Sequence, residues 1–126
     1  MHELHVDGVV LDTAAGTVTA QFVVPAGHPV LAGHFPGQPL VPGVLLLDAV
    51  RLAVDAAHGR RHDVVAVGDV RWHAPLVPDT PATVTAGLAA TGGRLAANGS
   101  WTAAGIRLGT FAIELVDADA AVPPRA

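Results

Sequence analysis

The sequence predicts an α+β fold in which an antiparallel sheet of about five to six strands curls around one long helix. Three observations carry this. Segments near both ends alternate apolar and polar residues with the period of a strand, as in Val18, Ala20, Phe22 and Val24. A single stretch, "GVLLLDAVRLAVDAAHG", runs from Gly43 to Gly59 without a helix breaker. Its apolar residues, Val44 to Leu47, Val50, Leu52, Ala53, Val54, Ala56 and Ala57, lie nearly all the way round, so something must wrap it.

Taken in order, residues 3–12 and 17–24 read as a first hairpin, with Val6, Val9 and Leu11 as its first apolar row and "DTAAG" as the turn. Between 25 and 42 the prolines at 25, 29, 36, 39 and 42 remove backbone donors, which predicts an ordered series of turns. Pro42 suits the first helical position, and Gly59 the stop. Four further strands follow in "VVAVGDVRWHAPLV", "PATVTAGLAAT", "RLAANGSWTAA" and "GIRLGTFAIELV", with turns at "GG" and "AAG". Residues 1–117 are expected to form one domain, and 118–126 a frayed tail.

Composition narrows the function classes. Hydrophobic residues make up 51% of the chain and charged ones 14%, so some surface is expected to lie under another subunit. A net charge of −4 with seven Lys and Arg argues against a nucleic-acid binder. The absence of cysteine excludes disulfides and thiolate chemistry. No apolar run is long enough for a membrane span, and the first residues do not read as a signal peptide, so a cytoplasmic protein is expected. His2 with His5, and His58 with His62, have spacings a metal could use, but one pair lies on a strand and the other straddles Gly59; no metal is expected.

One constellation carries chemistry. The proline-rich loop holds His34 just before a helix whose first amides, at Gly43 and Val44, are free to stabilise a developing negative oxygen. Gly43 lets a substrate approach the backbone. Asp48 follows one to two turns along the same helix. A base, an oxyanion site and an acid in that order suit proton abstraction beside a carbonyl. Spacing alone favours a plainer role, because Asp48, Arg51 and Asp55 share one helical side and Asp48 can pair with Arg51.

The stretch "GHFPGQPLVPGVLLLDA" resembles the signature of the β-hydroxyacyl-acyl-carrier-protein dehydratases, the FabZ/FabA-type hotdog enzymes. The histidine in "GHFPG", the second "PG" opening the helix and the acid 14 positions after the histidine carry the resemblance. With "VVPAGHPV" upstream and "VRWHAPLVPDT" downstream, the chain is most similar to the small dehydratases of aryl-polyene and polyketide-like pathways. The resemblance implies a hotdog fold, a long helix in a bent antiparallel sheet, paired into a dimer. It implies that His34 removes the α-proton of a 3-hydroxyacyl thioester, that Asp48 assists departure of the hydroxyl, and that the Gly43 amide holds the thioester oxygen. Phe35, Pro36, Val44, Leu47 and Leu52 would border the substrate, with Phe35, Pro36 and Pro42 also bracing the loop. Asp48 would be buried beside the acyl chain, where desolvation makes a carboxyl a better proton donor.

The resemblance further implies no cofactor, a carrier protein or acyl thioester as partner, and a homodimer, a higher assembly of dimers or a heterodimer with a related subunit. In that family His34 and Asp48 would meet across the dimer. Two positions depart from it: aspartate stands at 48 where glutamate is commoner, and leucine at 52 where glutamine is common. A non-catalytic acyl-binding or heterodimer subunit and a hotdog thioesterase are the competing readings. His28 could approach the pocket, and Arg60, Arg61 and Arg71 are candidate carrier-docking cations.

Overall fold

The computed structural model describes residues 4–31 and 40–118. A hairpin of β1 (Val6–Asp12) and β2 (Thr17–Phe22) leads through a short 3-10 turn, Pro29–Leu31, to helix α1 (Gly43–His58). Strands β3 (His62–Trp72), β4 (Ala82–Thr91), β5 (Arg94–Ala103) and β6 (Ile106–Asp117) complete the order. All pairings are antiparallel and form one six-stranded sheet in the order β1-β2-β4-β5-β6-β3. This is the hotdog fold: one long helix packed on a curved sheet.

The local chemistry of the turns sets these boundaries. Asp12 Oδ1 accepts from the Ala15 amide at 3.0 Å, and Gly16 takes a positive φ of 68° to close the first hairpin. Pro42 is the N-cap residue, with an extended ψ of 146°, so Gly43 and not Pro42 opens the helix. The helix stops at Gly59, whose left-handed φ of 69° turns its amide back to the Asp55 carbonyl at 2.8 Å.

The sheet wraps one side of the helix only. Leu45, Leu46, Ala49, Val50, Ala53 and Val54 are buried against it, whereas Val44 and Ala56 are exposed and Leu47, Leu52 and Ala57 half-buried. The expectation of a helix enclosed all round is thus corrected, since much of its apolar surface meets no strand among the described residues. Trp101 of β5 is fully buried at the centre and donates its Nε1–H to the Leu46 carbonyl at 2.8 Å, which ties sheet to helix. Its ring lies against Phe111 on one side and stacks on Trp72 with a 5.1 Å centroid separation.

In β1 the register slips between Asp7 and Val10, where Gly8 has a φ of 58°. That bulge keeps Leu11 opposite the buried Val18, on the face of Val6, while Val10 faces outward; Leu11 stays partly exposed because β1 is an edge strand. At the other end, Ala118 donates to the Arg61 carbonyl at 2.9 Å, and the remainder of the expected tail, 119–126, lies outside the described residues.

β3 is an edge strand, paired with β6 alone. Its Val64, Val65, Val67 and Trp72 are exposed, interspersed with the exposed charges of Asp63, Asp69 and Arg71. Among the described residues no helix is long and apolar enough to cross a membrane.

Candidate active site

His34, Phe35 and Pro36 lie outside the described residues, but the two ends of their loop are described. Leu31, where the chain leaves, and Val41, where it returns, are both buried. The Val41 amide donates to the Leu76 carbonyl at 2.9 Å. On the other side the Asp79 amide donates to the Val24 carbonyl at 2.8 Å, and Asp79 Oδ1 accepts from the Ala26 amide at 3.0 Å. One short segment, 76–79, therefore clamps the chain before and after the loop. His28 sits in the turn before it, its amide bonded to the Pro25 carbonyl at 2.9 Å.

Gly43 begins the helix, where its amide lacks an intrahelical acceptor. The space beside it is taken by an aromatic ring of this chain, because a Cβ built on Gly43 would fall 2.5 Å from Cζ2 of Trp72. Glycine at that point lets the Trp72 ring lie against the helix start, whatever a substrate needs. Together Leu40, Val41, Gly43, Leu46, Trp72 and Pro75 line a pocket of about 590 Å³ at the helix start. Trp72, half-exposed at its mouth, was not singled out as a site residue from the sequence, although "VRWHAP" contains it.

Asp48 lies five residues on, about 7.5 Å along the axis at 1.5 Å per residue. It lines a second, apolar depression of about 320 Å³ with Val44, Leu45, Leu47 and Val64 of β3. The structure thus brings Val44, Leu47 and Asp48 together. Leu52 borders a different hollow, with Leu4, Val6 and Asp55. Asp48 is not buried in the single chain: its side chain keeps 35% exposure, because it points to the side of the helix that the sheet leaves open.

The pairing that the spacing favoured is formed. Arg51 reaches Asp48 Oδ1 with both Nε, at 3.0 Å, and Nη2, at 2.7 Å, while its Nη1 donates to Asp55 Oδ2 at 2.9 Å. Asp55 Oδ1 in turn meets Nδ1 of His62 at 2.8 Å, and the His62 Nε2 lies 3.4 Å from Nδ1 of His58. The two histidines face each other and a carboxylate, and no group of three metal-ligating side chains occurs among the described residues. Burial, with the nearby His62 and Arg60, holds the His58 imidazole below its ordinary proton affinity.

The candidate docking cations do not form one patch. Arg71 precedes Trp72 at the helix start and meets Asp69, whereas Arg60 follows the helix end and pairs with Asp117 at 3.1 Å. Sixteen helical residues, about 24 Å, separate the two ends.

A family model of ApeI-like proteins, described as ApeI dehydratase, matches residues 11–100. The chain belongs to the ApeI-like dehydratase family. The matched span of this ApeI-like chain takes in β2, the loop, the whole helix, β3 and β4. It is 30% identical over 63 residues to the 3-hydroxyacyl-(acyl-carrier-protein) dehydratase FabZ of Mannheimia succiniciproducens, covering 44% of this chain and 42% of that one. It is 44% identical over 48 residues to the FabZ of Chlamydia trachomatis, covering 38% and 31%. The chain thus spans about two-fifths or less of the length of these curated relatives.

Among solved structures, the dehydratase heterocomplex ApeI:P from Xenorhabdus doucetiae superposes with a TM-score of 0.72 at 18% identity, over 91% of this chain and 99% of that one. A mutant of the fluoroacetyl-CoA-specific thioesterase FlK superposes with a TM-score of 0.66 at 22% identity, over 87% and 88%. At these identities both carry the fold alone.

Proposed function

We propose that the protein dehydrates a 3-hydroxyacyl thioester, carried on an acyl carrier protein, to the trans-2-enoyl thioester. The observation that carries this reading is the position of Asp48 within a dehydratase family span: a carboxylate in an apolar depression, two turns or less from a helix start that follows the sequence "GHFPG", with the described residues on either side held by segment 76–79.

In this reaction His34 takes the proton from C2, and the electron pair left behind forms the C2–C3 double bond. The C3–O bond breaks, and the hydroxyl leaves as water with a proton passed from Asp48. Return of the proton on His34 to Asp48 through solvent restores the site. The charge that gathers on the thioester oxygen is met by the Gly43 amide and the positive end of the helix. The pocket of Leu46, Trp72 and Pro75 suits the apolar acyl portion. This chemistry uses two side chains, one backbone amide and the acidity that a thioester lends its own α-carbon.

The same reading makes the protein a cytoplasmic dimer with composite sites. Val44, Leu47 and Val64 around Asp48 are continuous with the exposed Val65 and Val67 of the open edge strand β3, so a second copy laid on that edge would cover the carboxylate and bring its own His34. A heterodimer with a related hotdog subunit is the variant that the ApeI:P neighbour favours.

Incubation with a 3-hydroxyacyl-carrier protein, followed by intact mass, tests the proposal. Loss of one water supports it. Loss of the whole acyl group would instead make the protein a thioesterase. An unchanged mass in the presence of bound acyl carrier would leave a non-catalytic subunit.

A further inference from the structure

Asp48 belongs to a chain of hydrogen bonds that runs from the helix surface to a buried end. Exposure falls steadily along it: 35% for Asp48, 28% for Arg51, 16% for Asp55 and 3% for His62. His62 is the buried polar residue of the described core, at the first position of β3, where its backbone is paired with Asp117 of β6. We propose that His62, acting through Asp55 and Arg51, is a positioning residue that fixes the carboxylate of Asp48 for the dehydration. This rests on the reading of Asp48 as the acid.

The geometry supplies the reason. An exposed carboxylate and arginine three residues apart gain little from each other, about 0–1 kcal/mol, and sample several rotamers. Here the guanidinium is held at three of its donors, two on Asp48 Oδ1 and one on Asp55 Oδ2, so its plane is defined. Asp55 cannot rotate to release it without leaving Nδ1 of the buried His62, and an unpaired buried imidazole is costly. The backbone of His62 is fixed by the β3–β6 ladder and its ring by burial. Rigidity is thereby passed from the sheet to a helix side chain that would otherwise wander. Both bonds from Arg51 fall on Oδ1, which leaves Oδ2 of Asp48 as the oxygen available to a substrate hydroxyl.

The test compares His62→Leu, His62→Asn and Asp48→Asn in the full-length protein with a 3-hydroxyacyl-carrier-protein substrate. His62→Leu keeps the packing and removes the donor, and kcat should fall about 10–100-fold with KM little changed, since positioning and not binding is lost. His62→Asn offers an amide N–H near the place of Nδ1, and should recover kcat to within about threefold of wild type. A merely structural histidine would lose stability without this rescue. A folded His62→Leu with wild-type kcat, or a His62→Asn no better than His62→Leu, overturns the proposal. If His62→Leu does not fold, Asp55→Asn decides: an unchanged kcat overturns the relay, and a fall with constant KM supports it. Asp48→Asn separates the two levels. Full activity there removes Asp48 as the acid and the relay with it, whereas a dead Asp48→Asn beside an unaffected His62→Leu removes the relay alone.

Discussion

Substituting Gly43 by alanine puts a methyl group where Trp72 lies. The new Cβ would sit 2.5 Å from Cζ2, 2.9 Å from Cη2 and 3.2 Å from Cε2 of the ring. Carbon atoms rest at about 3.5–4.0 Å, so the ring must retreat by about 1 Å. It has room to do so, being half-exposed, but it leaves its stack on Trp101, at 5.1 Å and 13° between planes. That loss is about 0.5–1.5 kcal/mol. Alanine in place of glycine in a helix returns up to about 1 kcal/mol, less in the first turn. The two terms nearly cancel, and Gly43→Ala should unfold in urea within about 1 kcal/mol of wild type. The chain's two tryptophans are the stacked pair, so intrinsic fluorescence reports the displacement directly. The ring's shift also narrows approach to the Gly43 amide, and the dehydration rate should fall about 10–100-fold. A stability loss above about 3 kcal/mol would mean that Trp72 cannot yield and that the pocket wall is rigid core. Unaltered fluorescence with full activity would refute both the ring contact and the role of the amide.

Mixing His34→Ala and Asp48→Ala, each inactive alone, under conditions that exchange subunits should restore about a quarter of wild-type dehydration. Half of randomly mixed dimers are mixed, and each has one intact composite site; confirmed exchange with no recovery would refute shared sites. The lowered proton affinity of His58 predicts a stability loss in acid. As pH falls through the ordinary histidine value of 6.5, the unfolded chain takes up a proton that folded His58 resists, so the urea midpoint should drop. His58→Gln should flatten that slope, and an equal slope in the variant would exclude His58 as its source.

The strands and turns were legible because each rests on a local signal: period-2 alternation in β2 and β4, and the pair Gly92–Gly93 that ends β4. The side of the helix that stays open was not, since an apolar residue reads the same whether its own sheet or another chain covers it. That ambiguity made the helix look enclosed and Asp48 look buried. Leu11 shares the face of Val6, as its place in the apolar row implied, because the bulge between Asp7 and Val10 absorbs the odd spacing. Of the site, the pairing of Asp48 with Arg51 followed from helical spacing, but the link from Asp55 to His62 did not. His62 was weighed only against His58. It is the left-handed turn at Gly59 that folds the start of β3 back against the last helical turn, and no periodicity announces which side chain then meets Asp55.

One strand ties these separate features together. β3 presents His62 to the polar chain at its first residue, Val64 to the depression around Asp48, and Trp72 to the pocket at Gly43. Among the described residues its remaining bonding edge carries no strand, and its exposed residues include Val64, Val65 and Val67 beside Asp63, Asp69 and Arg71. In the proposed enzyme, the strand that would join two copies is therefore also the strand against which the acid is set. Covering that edge would reduce the exposure of Asp48 and seal the depression around it, without any new residue being brought into the hydrogen-bond chain. Catalytic geometry and assembly would then be coupled through a shared backbone: any change that weakens pairing at Val65 or Val67 should loosen the site as well, although neither residue touches it.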